Sequence, residues 1–561
     1  METAPTTTRI EADMDSDVLN QIKTWPAVCY LAEFIPPTFA CGRGAMTIGF
    51  LEADPHTPTV RLDLPWTGQG EIIAILDSGI DEKHPDLKSA MYATIPVVNA
   101  RPQDDIGHGT HVAGIIAGRG KKNGPKGVAP KAKLINRAMV DAGGQLLTPV
   151  DYGELFKPVV DAGAAIINLS WGFPTGGSYF QGSRQLDEFA YQHPDILFVV
   201  AAGNEGAADQ LTGDYKYGTV GAPGSAKNVV TVGATGLRCH RPDQCTNCQL
   251  TTGQKWQAKF SLPPAADLTL TPVVGNPVSV VGISSRGPTN FHSVKPDLVA
   301  PGVAVESTRS QFADDSRFEA GCPISSTTFY GCKTGTSMAT PFVSGAAALI
   351  RQFIRKKTPL NIPSAALLKA LLIACTQTLD PINVRIRDLV GSPDFDQGFG
   401  LLNVKTLLEP VTGQGLLLVD IDNQSPLALA SRQPLGAAIR SYRSYAFTVA
   451  DTSTVPLVIV LCWNDPPGVS VQNNLQLDVK TPSGERLFGN QGHKFMRDPL
   501  SVNLTDHHNN IERIRIETPS PGLYSVRVFA ENTSLPNQGF SLVVFGAVTT
   551  NPLESWSAIV I

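Results

Sequence analysis

Four stretches in the earlier part of this chain are apolar at almost every residue: EIIAIL (71–76), AAIINLS (164–170), ILFVVAA (196–202) and NVVTVGA (228–234). A strand with one face in water alternates polar and apolar residues. A strand without that alternation is buried on both faces, as in a parallel sheet covered by helices. Between these runs, THVAGIIAG (110–118) and SMATPFVSGAAALIRQFI (337–354) read as helices. In the second, Phe342, Val343, Ala346, Ala347 and Ile350 fall on a helical period among small residues, which suits a tightly packed central helix. The pattern predicts an α/β fold: a doubly wound, mainly parallel sheet.

Past about residue 410 the texture changes. SYAFTVA, PLVIVLCW, LQLDVKT, IERIRIE, LYSVRVFA and FSLVVFG are short, mostly alternating, and separated by Pro, Gly, Asn and Asp clusters. That is the pattern of an all-β antiparallel sandwich. Residues 1–66 have no long period and read as an N-terminal extension or reduced prosegment. The expected division is therefore 1–66, 67–408 and 409–561, with the last boundary between Leu407 and Gly415. A length of 561 residues suits two large domains better than one core. With 42% hydrophobic and 17% charged residues the chain is not an intrinsically disordered one. A net charge of -5 gives no basic field for nucleic acid. No run of about 18 apolar residues is present, so no membrane span is expected. The N-terminus lacks a basic start followed by an apolar stretch, so the chain reads as cytoplasmic on its face, or as secreted if a leader has been trimmed.

Four polar residues stand where such a sheet would use them. Asp77 ends the first apolar strand, and functional groups of open α/β sheets lie beyond the carboxyl ends of strands. His108 sits in GHGTHVAG at a Gly-flanked turn into a helix. Imidazole exchanges its proton close to neutral pH, so it can serve as a base there. His111, three residues on, reads as a structural hydrogen-bonding histidine. Ser337 in GTSMATP lies at a helix start, where unpaired backbone N–H groups favour developing negative charge. Asn204 in AAGNEG follows another strand, and its amide can donate to an oxyanion. Taken singly, each is an ordinary turn or cap residue. Taken together, they supply acid, base, nucleophile and oxyanion donor in the chain order Asp, His, Ser.

The stretches AILDSGID, HGTHVAGIIAG, INLSWG, AAGNEG, SSRGP, KPDLVAPG and GTSMATPFVSGAAALI resemble the subtilisin-like serine peptidases, over about residues 68–408. The resemblance implies a serine endopeptidase acting on protein or peptide substrates. In it Asp77 orients the imidazole, His108 is general base and then acid, Ser337 is the nucleophile, and Asn204 with the Ser337 backbone N–H holds the oxyanion. It also implies that Ser170, Trp171 and Gly172 pair with the substrate as an added strand, and that Gly203 belongs to the opposite pocket wall. A large aromatic at Trp171 departs from the family's usual residue. A peptide ligase or macrocyclase with the same triad, or an inactive peptide-binding scaffold, are the alternative readings. No organic cofactor is expected.

The segment from LCWNDPPG to LYSVRVFA is similar to the β-sandwich that follows the catalytic domain in some alkaline subtilases. That similarity brings structural calcium into view. Asp465, Asp478, Asp498, Asp506 and Glu512 are oxygen ligands of the right type, but no compact ligand loop is visible, and they read as surface carboxylates. Relative to the family, residues 236–280 form an insertion holding Cys239, His240, Cys245 and Cys248. These types suit zinc. Their spacing is irregular, so a disulfide or free thiols fit at least as well. Cys322 and Cys332 could close a local disulfide in an oxidising compartment.

Overall fold

The computed structural model describes residues 65–122, 124–149, 151–206, 215–236, 280–319, 328–379, 393–410, 414–429, 431–432, 439–450, 455–490, 505–548 and 557–559. The zinc candidates Cys239, His240, Cys245 and Cys248, together with Asp498 and Cys322, lie outside them.

The first large element is a nine-stranded sheet. Its strands in chain order are β1 (Ile72–Asp77), β2 (Met91–Thr94), β3 (Lys133–Ala138), β4 (Ile166–Leu169), β5 (Leu197–Ala201), β6 (Val230–Thr235) and β7 (Leu298–Pro301). A separate antiparallel pair, β8 (Val305–Thr308) and β9 (Tyr330–Lys333), follows. The sheet is completed by β10 (Thr376–Gln377) and β11 (Leu401–Leu402). Its spatial order is β10-β11-β7-β6-β5-β4-β1-β3-β2, parallel except for β10. The chain winds outward from β1 in one direction, returns, and then winds outward in the other. That makes β1 and its neighbour β4 the switch point, where doubly wound sheets carry their sites.

The all-apolar strands are buried on both faces, as the missing alternation predicted. In β1, Ile73 and Ile75 pack on one side and Ala74 and Leu76 on the other. The first side is covered by α1 (His108–Ala117), α4 (Thr336–Lys357) and α5 (Ala365–Ala374), the second by α2 (Gly153–Asp161) and α3 (Gln181–Gln192). The central helix α4 is buried along almost its whole length from Thr336 to Ile354. A Cβ on Gly345 would come within 2.6 Å of the Val128 side chain, which explains the small residues there. A last short helix, α6 (Lys405–Leu408), precedes the second region.

That region is a sandwich. Its strands are β12 (Gly415–Ile421), β13 (Ser431–Arg432), β14 (Ile439–Arg440), β15 (Tyr442–Val449), β16 (Leu457–Cys462), β17 (Asn473–Lys480), β18 (Arg486–Phe488), β19 (Ile511–Ile516), β20 (Gly522–Thr533), β21 (Phe540–Gly546) and β22 (Ser557–Ile559). Five form the sheet β19-β16-β21-β12-β22 and four the sheet β15-β20-β17-β18, with antiparallel pairing throughout. Six of these strands are legible in the sequence. β12 is not, although it sits inside its sheet, because its GLLLVDI run falls where the texture changes.

The inner strands of the five-stranded sheet are buried on both faces. In β12, Leu417 and Val419 point into the sandwich core, while Leu416 and Leu418 join the core of the first region. In β16 the same split separates Leu457, Ile459 and Leu461 from Val458 and Val460. The outward residues of β16 pack against α5, whose N-cap Ser364 also bonds Asp420 of β12 through its N–H (3.0 Å) and hydroxyl (2.6 Å).

Four of the five residues read as surface carboxylates are not at the surface: Asp465, Asp478, Asp506 and Glu512 are all buried. They bond to different partners. Asp465 takes Lys227 and the N–H groups of Gln472 and Asn473, and Asp478 takes Arg486 and Arg527. Asp506 takes Asn490, Asn509 and the His508 N–H, and Glu512 takes the Leu477 N–H. Among the described residues no group of three or more His, Cys, Asp or Glu side chains could hold a metal. Cys375 and Cys462 are free and buried, and Cys332 is disulfide-bonded. No helix of the described residues is long and apolar enough to cross a membrane.

Candidate active site

Asp77 is the last residue of β1, nearly buried at 5% exposure. Its Oδ1 lies 2.7 Å from His108 Nδ1 and also accepts the Ser78 N–H at 2.7 Å. Its Oδ2 is buried without a partner. His108 opens α1, after Gly107 at φ 75°. That positive φ favours glycine, and a Cβ there would meet Ala313 and Phe318 at 2.8 Å.

The turn before His108 is built by a residue the sequence reading passed over. Asp104 is fully buried; its Oδ1 accepts the N–H groups of Ile106 (3.2 Å) and Gly107 (2.7 Å), and its Oδ2 that of Thr110 (2.8 Å). These are orphan donors of a helix start. Ser78, next to Asp77, donates to Asp104 and accepts from the Gly109 N–H, so the end of β1 and the first turn of α1 form one unit. Burial raises the Asp104 carboxyl above its ordinary range, and its hydrogen bonds work against that. An Asp three residues before the helix-initial glycine was the available signal. His111 is the structural histidine expected. It is fully buried, its Nε2 faces the carbonyls of Val305 (2.8 Å) and Gly331 (3.0 Å), and desolvation pushes it well below the usual imidazole range.

Ser337 is the second residue of α4. Its hydroxyl donates to the Ser170 carbonyl at 2.8 Å; among the described residues no hydrogen bond joins it to His108. Ser170 follows β4, as Asp77 ends β1, and these strands pair in register with Leu76 opposite Leu169. The two residues therefore stand at neighbouring strand ends, on strands about 4.8 Å apart. That register brings the Asp77–His108 pair and Ser337 to one edge of the sheet. Asn168 secures the spot from below, its Nδ2 donating to the Ser170 hydroxyl (2.9 Å) and its Oδ1 accepting from Ser344 of α4 (2.8 Å). A polar residue inside the apolar run IINL was its signal.

Asn204 lies just past β5. Its Oδ1 accepts the Thr336 N–H at 2.9 Å and the Thr336 hydroxyl at 3.1 Å. Of the two amide atoms only the oxygen can accept from the Thr336 N–H, so the orientation of the amide is fixed, and among the described residues its Nδ2 donors have no hydrogen-bond partner. Gly335 makes this approach feasible: at φ 145°, a Cβ there would press on Asn204 at 3.3 Å.

The expected substrate segments are also ordered. A Cβ on Gly172 would stand 2.9 Å from the Ala222 carbonyl, and one on Gly203 (φ 109°) 2.4 Å from Glu205. The Trp171 ring does not stand free. It is half-buried, edge-on to Tyr152 and Phe173 at 6.3 and 6.0 Å, and anchors the segment in the core beneath α2 and α3.

The Subtilase family model, Peptidase_S8, matches residues 68–400. The Serine protease/ABC transporter B family protein tagD of Dictyostelium discoideum is 27% identical over 87% of this chain and 32% of its own length. Serine protease AprX of Bacillus subtilis is 30% identical over 55% of this chain and 63% of its own. This chain thus spans about a third of the tagD-type relatives. Among solved structures, an S41 psychrophilic protease aligns at 25% identity and TM-score 0.41, covering 60% of this chain and 92% of that one.

Proposed function

The chain belongs to the subtilase family, and from that premise we propose that it is a serine endopeptidase working through Asp77, His108, Ser337 and Asn204. A substrate strand laid along Ser170–Gly172 brings its own N–H to the Ser170 carbonyl. That frees the Ser337 hydroxyl to rotate toward His108. The oxygen attacks the scissile carbonyl as His108 takes its proton, and Asp77 on Nδ1 holds the tautomer and steadies the imidazolium. The oxyanion is met by Asn204 Nδ2 and the backbone N–H of Ser337 at the start of α4. His108 then passes the proton to the leaving amine. Water repeats the sequence on the acyl-enzyme, releasing the acid and restoring Ser337. No step uses an organic cofactor or a metal.

The observation that carries this reading is the pairing at Asn204. Its oxygen is taken by Thr336, which leaves two amide donors beside a serine at a helix N-terminus. A fluorophosphonate probe should label the protein at Ser337, and peptide cleavage should yield two products whose masses sum to the substrate plus one water. Ser337→Ala should abolish both, a loss of about a millionfold in kcat for related triads. Unlabelled protein would favour an inert scaffold, joined or cyclic products a ligase, and full turnover by folded Ser337→Ala would sink the mechanism.

A further inference from the structure

The two segments expected to receive substrate are bridged by one turn. Phe173, continuing from Ser170–Gly172, exchanges backbone hydrogen bonds with Ala222 at 2.7 and 3.0 Å. On the other side, the Gly221 N–H donates to the Ala202 carbonyl at 2.9 Å, just before Gly203 and Asn204. The bridge has no slack, since a Cβ on Gly221 would lie 2.6 Å from the Phe173 carbonyl. A shift of this turn moves both segments.

The far end of the turn is held by the sandwich. Lys227 follows it, with only 4% of its side chain exposed. An ammonium has three donors, and all three here go to the sandwich loop at 464–472: to the Asp465 carboxylate, the Pro466 carbonyl (2.9 Å) and the Ser470 carbonyl (2.6 Å). Among the described residues, the subtilase part supplies no hydrogen-bond acceptor for this ammonium. Asn228 adds a reciprocal pair with the Asp465 backbone, at 2.7 and 2.8 Å. The same loop reaches the segment after Phe173, where the Gly468 N–H donates to the Tyr179 hydroxyl at 3.3 Å and Tyr179 donates to Asp187 at 2.9 Å. Asp187 in turn accepts the N–H groups of Lys227 and Asn228.

We infer that the sandwich is a specificity element of the peptidase: through Asp465 and Lys227 it positions the turn around Ala222, and with it the spacing of the two segments that receive the substrate side chain beside the scissile bond. This rests on the endopeptidase reading. Asp465 and Lys227 are positioning residues, since neither touches the reacting atoms. Small displacements at a pocket wall are enough to matter, because fit of a single methylene is worth about 10–200-fold in discrimination.

The test uses the full chain and matched peptide substrates with Ala, Leu or Phe before the scissile bond, with a small fluorophosphonate as a probe of Ser337 alone. Three variants are compared: Asp465→Asn, the double change Lys227→Met/Asp465→Leu, and Asp478→Asn as a control in the other sheet. The double change removes both charges together, so that neither is left buried without its partner. For the Asp465→Asn and double variants the Phe:Ala ratio of kcat/KM should shift by about tenfold, chiefly through KM, while probe labelling stays within about twofold of wild type. Asp478→Asn should leave the ratio unchanged. An unchanged ratio in folded Asp465 variants overturns the inference. So does a parallel fall of labelling and all three peptides, which would reduce the pair to fold support. A wild-type protein that neither labels nor cleaves fails the endopeptidase reading itself, whatever the variants do.

Discussion

Among the described residues, Asp77 at the end of β1 keeps one carboxylate oxygen without a partner, and Asn204 past β5 keeps both amide donors uncommitted. In the sandwich, both oxygens of Asp465, Asp478 and Asp506 are taken by donors from the protein. Both regions bury polar groups in strand-rich frameworks, yet one leaves hydrogen-bonding capacity at its strand ends and the other removes it. A parallel sheet makes the first arrangement natural, because all its strands end on one edge and chain reversal opens a crevice there. The antiparallel sandwich has no such edge. Its charges lock loops and, through Lys227, lock the two regions together.

The largest test of that contrast is to separate the regions. Removing residues 411–561 would expose the α5 face now covered by Val458, Val460, Val543 and Phe545, and would strip Leu416 and Leu418 from the same core. Each such side chain is worth about 1.5–3 kcal/mol of burial, so the sum rivals the whole stability of a domain. We expect little soluble, folded product, measured by yield and circular dichroism. A truncated protein that folds with an unchanged melting temperature would show that the sandwich is an independent appendage.

Asn204→Ala sharpens the comparison from the other side. If its free donors serve the oxyanion, kcat should fall by about 10²–10³ with KM little changed. A turn residue would instead lower the melting temperature and leave kcat per folded molecule nearly constant. Kinetics and melting on one preparation separate the two.

The smallest expected effect concerns an exception in the sandwich. Glu512 is fully buried; its Oε2 accepts the Leu477 N–H, and its Oε1 has no partner. Burial, with Asp506 adding to it, holds its carboxyl well above the ordinary range. The folded protein therefore keeps a proton that the unfolded chain releases, and stability falls as pH rises from the ordinary carboxylate range toward the raised value. Glu512→Gln removes that loss. It should leave the melting temperature at pH 4 unchanged and raise it at pH 7, by roughly 1 °C for each kcal/mol recovered in a cooperative unit of this size. Equal shifts at both values would mean that Glu512 is ionised in the fold.

The sequence by itself determined a good deal. Runs such as EIIAIL and ILFVVAA announce a two-faced parallel sheet because period and polarity report burial directly. GHGTHVAG, AAGNEG and GTSMATP mark the positions of His108, Asn204 and Ser337 because helix starts and strand ends have local signatures. Tertiary structure alone decided what those residues meet. The choice of Asn204 oxygen over nitrogen follows from Thr336, 132 residues away, and the half-buried Trp171 ring is packed against the core, edge-on to Tyr152. Asp465, read as a surface carboxylate, is the buried partner of Lys227 across 238 residues. A residue's neighbours along the chain record whether it is buried, but not by whom. The five-stranded sheet shows the same limit, since PLVIVLCW states that both faces are covered and only the packed α5 shows with what.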